Sequence, residues 1–358
     1  MPIIIPEIDV HEEKIAPQID ETRAGRILFI GAFDAEKHPA VVEGSGTSAV
    51  YTFSPQNINT EDEAYDTLGT DTTTYPALKC IEPLFKGATS LLSINMTVAG
   101  DTPDKTINVT KLGQALNTVL LEKFDLIFVA DNISDELLAV VKAFDETRHE
   151  DKRPFDYVGV GTRTNATAYT TSAALMPRSC NFITQSLDDY SLVETGALIA
   201  GLVAGNILDK SLTNMTVPDV NEITTEYTFG TGDLGYTLVA LGYTVFKITS
   251  RLDGDVKIVN GRQFNQFDGY INRVTGAIIR DFKLEDYLGN KNNNVTLIGV
   301  NAECARIRNK YCKALGFAKT IEYFVEKANS ECVVIKLTKI VYDGVITKID
   351  LYYTIELE

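Results

Sequence analysis

The segment spanning residues 125–161 constrains the fold more than any other part of the chain. DLIFVA is a short apolar run. DELLAVVKAFDETRH then places apolar residues at helical spacing, with Asp131 and Ser134 as the N-caps on offer, and DYVGVG (Asp156–Gly161) is a second apolar run. Strands apolar on both faces and separated by about a dozen helical residues call for a crossover connection, which lays a helix over a parallel pair. The same alternation runs upstream. GRILFIGAF (Gly25–Phe33) is a strand with a glycine exit, SAVYTF another, and TEDEAYDTLGTDTTTY a solvated loop or short helix. LKCIEPLFKGA carries Leu78, Ile81, Leu84 and Phe85 at helical spacing, SLLSINMTV is a strand, and LGQALNTVLLEKF (Leu112–Phe124) is a helix. These segments predict an α/β layer.

Further along the texture changes. SLVETGALIAGLVAGNI (Ser191–Ile207) is a small-residue helix that reads as internal packing, because a membrane span needs more length and bulk. After a turn at Pro218, EITTEYTFGTGDLGYTLVALGYTVFKI predicts a short helix leading into a strand. DVKIVNG is a strand, FNQFDGYINRVTGAIIRDFKLEDYL mixes strand and helix, VTLIGVNAECARIRNKYCKALGF carries one long helix, and two strands flank the turn Asp343-Gly344. A chain of 358 residues with 44% hydrophobic content can bury two cores. The expected division is an arm at 1–22, an outer α/β domain at 23–228, an α+β domain at 229–345 and a second arm at 346–358. In the first arm Pro2 and Pro6 bracket Ile3, Ile4 and Ile5, and Ile8 and Val10 alternate with Glu7 and Asp9. Proline bars a helix there and confines a strand to an edge. In the last strand Ile349, Leu351, Tyr353, Ile355 and Leu357 share one face. Such ends either pair within their own domain or add a strand to a neighbour.

Charge and motif content narrow the function. A net charge of −16 repels phosphates and argues against nucleic-acid binding. No run of about 18 apolar residues is present, and MPIIIPEIDV lacks the basic region and cleavage site of a signal peptide. The cysteines Cys80, Cys180, Cys304, Cys312 and Cys332 are widely spaced with no C-x-x-C, and only His11, His38 and His149 could join them, so reduced thiols rather than a metal centre are expected. Gly230–Gly235 is a literal G-x-G-x-x-G. The dinucleotide fingerprint needs a buried strand before it and a full helix after it, whereas ITTEYTF is a polar, alternating strand and Tyr236–Leu241 is short. Asp253 and Asp255 stand at about the spacing of a ribose contact and keep that reading open; the other reading is an N-capped short helix with Asp233 favourable to its dipole. There is no P-loop and no G-x-S-x-G. His149 sits at a charged helix end and His38 before a proline, neither placed as a base. No catalytic residue, cofactor or metal ligand is assigned.

Taken in order, GRILFIGAFDAEKHPAVV, YPALKCIEPLFKGATSLLSINM, DLIFVADNISDELLAVVKAFDETRHEDKRPFDYVGV, ALIAGLVAG and TFGTGDLGYTLVALGYTVFKITSRLDGDVKIVNGRQF resemble the contractile-tail sheath proteins of myophages and phage-derived R-type bacteriocins. The resemblance lies in order and texture, without a signature motif. It implies an α/β plus α+β, two-domain subunit with extended N- and C-terminal strand arms, in which 229–345 forms the lattice and the outer domain is compact. It further implies that the arms, through Ile3, Ile4, Ile5, Ile8, Val10, Ile349, Leu351, Tyr353, Ile355 and Leu357, complete a sheet on neighbouring subunits. A tube-facing helix is implied at Asn301–Phe317, with Cys304, Ile307, Tyr311 and Leu315 on its core face and Arg306, Lys310 and Lys313, with Arg308 nearby, as a basic stripe towards an acidic tube. An ordinary solvated face is the alternative. The partners implied are other copies of the chain, a tail tube protein, and baseplate and tail terminator proteins, with no nucleic acid, no stable membrane insertion and no cofactor. The setting implied is a virion tail or phage-like particle assembled in the host cytoplasm. Two rival readings stand beside this one, a dinucleotide-binding α/β enzyme using Gly230–Gly235 and another strand-exchanging virion or surface-layer protein.

Overall fold

Five strands of the main sheet lie parallel, in an order that puts the chain's first described strand near the middle. The structure, a computed structural model, describes residues 25–44, 48–150, 153–206, 210–248, 254–265, 267–283, 294–327 and 333–342. Both expected arms, with the five named residues of each, lie outside the described residues.

The first part of the chain supplies β1 (Arg26–Gly31), β2 (Val41–Glu43), β3 (Val50–Thr52), β4 (Gln56–Ile58), α1 (Glu61–Leu68), a 3-10 turn at Pro76–Cys80, α2 (Ile81–Phe85) and β5 (Ser90–Asn95). There follow α3 (Val109–Thr118), β6 (Leu126–Val129), α4 (Asp135–Glu150), β7 (Asp156–Val160), α5 (Ala166–Ala173), β8 (Cys180–Ile183) and α6 (Leu192–Gly205). The sheet order is β4-β5-β1-β6-β7-β8, with only β4 antiparallel to its neighbour. Side chains alternate between the faces of the strands. Ile27 and Phe29 enter a core shared with α1, α2 and α6, while Leu28 and Ile30 enter a second core under α3, α4 and α5. The sheet is therefore buried on both sides, which is why its strands read as continuous apolar runs.

α6 starts on a capping box formed by Ser191 and Glu194. Its small residues let it lie directly against α2. A Cβ on Gly201 would stand 2.6 Å from the Pro83 carbonyl oxygen, and one on Gly87 would stand 2.0 Å from the Gly201 carbonyl oxygen. The packing role expected of this helix is thus a matter of backbone touching backbone.

α7 (Leu234–Leu241) leads into β9 (Phe246–Ile248), which pairs antiparallel with β10 (Val256–Ile258). Phe246, Val256 and Ile258 join the α6 core, and Leu238, Tyr243 and Val245 join the other. A separate third core, built on Val274, Ile278, Ile307, Tyr311 and Ile321, unites α8 (Gly269–Arg280), α9 (Asn294–Asn309) with its π-type last turn at Lys310–Ala314, β11 (Thr320–Lys327) and β12 (Val333–Val341). Val259 and Phe264 still pack against the second core, so the change of core falls after Phe264, beyond the division expected at 228.

Several local expectations differ from the structure. α3 starts at Val109 because Asn108 caps it, its side chain accepting from the Lys111 amide. It ends at Thr118 rather than Phe124, and the carbonyls of Leu120 and Glu122 turn to the buried Arg148 guanidinium at 2.7 and 2.8 Å. ITTEYTF forms no strand; within it Ile223 alone makes a bridge, to Leu187. FNQFDGYINRVTGAIIRDFKLEDYL gives the helix α8, capped by Asp268, and no strand among its described residues. β4, β8, α5 and β11 are elements that the sequence pattern does not announce.

Candidate subunit interface

The helix expected to face a tube lies on the third core. Ile307 and Tyr311 are buried in it and Leu315 packs against it, as the spacing requires, and Cys304 is buried on the same helix. The four basic residues divide into two pairs. Asp281, just past the end of α8, lies 3.5 Å from Arg306 and 3.1 Å from Lys310. Arg306 also pairs with Glu303 at 2.8 Å and donates to the Asp281 carbonyl at 2.6 Å. The Glu303 carboxyl, hydrogen-bonded by Arg306, is held below the usual carboxylate range. Arg306 and Lys310 thus tie α9 to α8. Arg308 and Lys313 are exposed, and the Arg308 guanidinium lies 5.6 Å from the Tyr323 ring centroid on β11. The outward charge of this helix is carried by Arg308 and Lys313, because the carboxylates that engage the other two belong to the same chain.

The ribbon β11–β12 has a packed and an open face. Ile321 and Leu337 look into the third core, whereas Phe324, 54% exposed, sits among Glu322, Glu326, Lys336 and Lys339. Lys336 pairs with Glu326, and Lys339 with Glu322 at 3.9 Å. On the other unit the β2–β3 ribbon exposes Val41, Val42 and Val50. The sequence does not single out these apolar surface residues, since alternation in a short strand does not say which face meets water.

The glycine-rich loop is closed on itself. The Gly230 amide donates to the Asp233 carboxylate at 2.8 Å, and a Cβ on Gly235 would stand 2.5 Å from the Thr228 carbonyl oxygen. Asp233 occupies the N-cap position of α7, but its side chain makes no bond to the helix. With no strand before it and eight residues of helix after it, the loop lacks the strand–turn–helix cradle of a dinucleotide site. His38 is exposed at a positive φ of 50°. Among the described residues, no group of three or more His, Cys, Asp or Glu side chains is placed to hold a metal, and no helix is long and apolar enough to cross a membrane.

No protein-family model and no curated protein matches the sequence. Solved structures do match the fold. A sheath tail protein from Desulfitobacterium hafniense superposes with a TM-score of 0.65 at 13% identity, covering 96% of this chain and 99% of the other. A sheath tail protein from Listeria innocua gives 0.63 at 12% identity over 90% and 96%. The helical sheath of the anti-feeding prophage in its contracted state gives 0.66 at 13% identity over 99% of both chains. The fold is a mixed α/β architecture of the tail-sheath type. It covers the third core as well as the large sheet, as the resemblance in the sequence implied.

Proposed function

We propose that the chain is a structural subunit of a contractile tail sheath, which polymerises helically around a tail tube and shortens to drive that tube through a target envelope. The likeness to a helical sheath across 99% of both chains carries the reading. A sheath needs open, head-to-tail contacts that survive a large rearrangement. Strand arms at 1–22 and 346–358 would supply them, because main-chain hydrogen bonds to a neighbour tolerate reorientation while alternating side chains hold register. Baseplate and terminator proteins would close the two ends of the polymer.

The test is electron microscopy of the purified chain with and without both arms. Full-length protein is expected to form wide hollow helical tubes, and the doubly truncated chain to remain a folded monomer. A full chain that stays monomeric at high concentration would sink the proposal, and solid or planar arrays would favour another virion or surface-layer protein.

The tube-facing role is best tested at the two outward cations. Charge reversal in the double variant Arg308→Glu, Lys313→Glu is expected to weaken co-sedimentation with tube protein at least about tenfold at low salt, with little change at high salt. The same reversal in Arg306→Glu would instead disturb the fold, since it would set a third carboxylate against Asp281 and Glu303.

A further inference from the structure

α8 is a helix with two loyalties. Its apolar face, with Val274, Ala277 and Ile278, belongs to the third core, and Tyr270 meets the Tyr342 ring edge-on at 6.2 Å. Its other face, with Asp268, Asn272, Gly276 and Arg280 at four-residue intervals, lies on the α/β unit. Apart from Gly276, which faces the Pro154 ring, that contact is made by polar groups. Asp268 accepts from the hydroxyls of Ser211 and Thr213 at 2.6 and 3.2 Å, and Arg273 donates to the Lys210 carbonyl. Arg280 donates to the Pro154 carbonyl at 2.8 Å and pairs with Asp125 at 3.2 Å. None of the three hydrophobic cores crosses this seam.

Asp156, the first residue of β7, closes the seam from below. It is 3% exposed, and its Oδ2 has no hydrogen-bond partner among the described residues. It borders a cleft of about 20 Å³, roughly the room of one water molecule, lined by Asp125, Ser179, Asn272, Arg273 and Arg280. The charged and titratable groups facing it are Arg273 and Arg280 from α8, Asp125 ahead of β6 and Asp145 from α4, with the Cys180 thiol of β8 also within its field.

We propose that this seam is a protonation latch: α8 stays seated on the sheet while Asp156 carries a proton, and ionisation of Asp156 loosens it, letting the third-core unit tilt away from the sheet. A polar contact between separately cored units is the kind that permits relative motion. Burial pushes the Asp156 carboxyl up to about 6, against the opposing pull of Arg273 and Arg280. The sign follows. A carboxyl raised in the docked state favours docking fully below its free value of 3.8, and that preference fades as pH rises to about 6 and is gone above it. A difference of about two pH units changes the docking equilibrium by up to roughly 100-fold. The latch belongs to the single chain and does not depend on what the chain assembles into.

Fluorophores placed on the full-length chain at Thr118 and Lys313, both exposed and on opposite sides of the seam, read it by energy transfer at concentrations too low for assembly. The distance distribution is expected to be narrower at pH 4.5 and broader and longer at pH 7.5, with the change complete by about pH 6. Asp156→Asn should stay narrow at both. Arg280→Gln, which removes two anchors without touching a core, should broaden at both. A wild-type distribution indifferent to pH, an Asp156→Asn variant with an unchanged transition, or an Arg280→Gln variant indistinguishable from wild type would each overturn the latch.

Discussion

Gly87→Ala is expected to destabilise the chain by about 3 kcal/mol, the upper end of what overpacking a filled interior usually costs. The added methyl would stand 2.0 Å from the Gly201 carbonyl oxygen. Neither atom can move alone, because Gly201 sits in the middle of α6 and a Cβ on Gly205 would in turn meet the Gly87 Cα at 2.8 Å. Relief requires the whole of α6 to lift from α2, opening the core that holds Leu84, Ala197, Ala200 and Val203. The contrast is Gly113→Ala in α3, where the new methyl meets only the Val140 Cγ1, at 3.8 Å. Replacing a glycine inside a helix where there is room should stabilise it by about 1 kcal/mol. Urea midpoints of the two variants should therefore move in opposite directions. Equal shifts would mean that the α2–α6 contact is looser than described.

Arg148→Leu is the second large effect. The Arg148 side chain is 2% exposed and bonds the carbonyls of Leu120, Glu122 and Arg153, while its guanidinium lies 4.1 Å from the Phe124 ring centroid. Leucine would keep the apolar packing but strand carbonyls that have left the helical pattern, at about 1–3 kcal/mol for each that stays dry. A total loss of about 3 kcal/mol is expected. Proteolysis should localise it to the turn after α3, where, among the described residues, the one remaining guanidinium contact is that of Arg153 with the Leu121 carbonyl. Cleavage elsewhere first would count against this account.

The same arginine explains one limit of the sequence. The apolar positions 112, 116, 119, 120 and 124 satisfy a helical period, yet the helix stops at Thr118 because a residue 28 positions beyond Leu120 claims its carbonyl. Local periodicity carries no trace of such a partner. What was legible was whatever burial on both faces imprints on composition: β1, β6 and β7 are mostly apolar runs, β5 (SLLSIN) keeps enough apolar length to read as one despite Ser93 and Asn95, and their alternation with helices gives the layer. β8, with the sequence CNFI, is too short and too polar in its second position to announce itself, although Asn181 is 1% exposed. α5, ATAYTTSA, lacks an apolar stripe and is held by the Asn165 cap. The basic face of α9 was visible as a spacing, but its division into two paired and two outward cations was not. Asp281 and Glu303, the residues that divide it, come together only when α8 and α9 pack.

The flanks of the large sheet are closed in different ways. On one side stands β4, three residues long and running opposite to its neighbour. On the other, the backbone amide of Thr244 donates to Phe182 on β8, and the Gln185 side chain accepts from the Phe246 amide, so a return of the chain covers that strand. Unguarded strands recruit indiscriminately, whereas blunted ones leave each molecule indifferent to its siblings at that surface. If the chain polymerises as proposed, this would be a form of quarantine until assembly. The edges of the large sheet would then be withheld from association, and recruitment would fall to other surfaces of the chain.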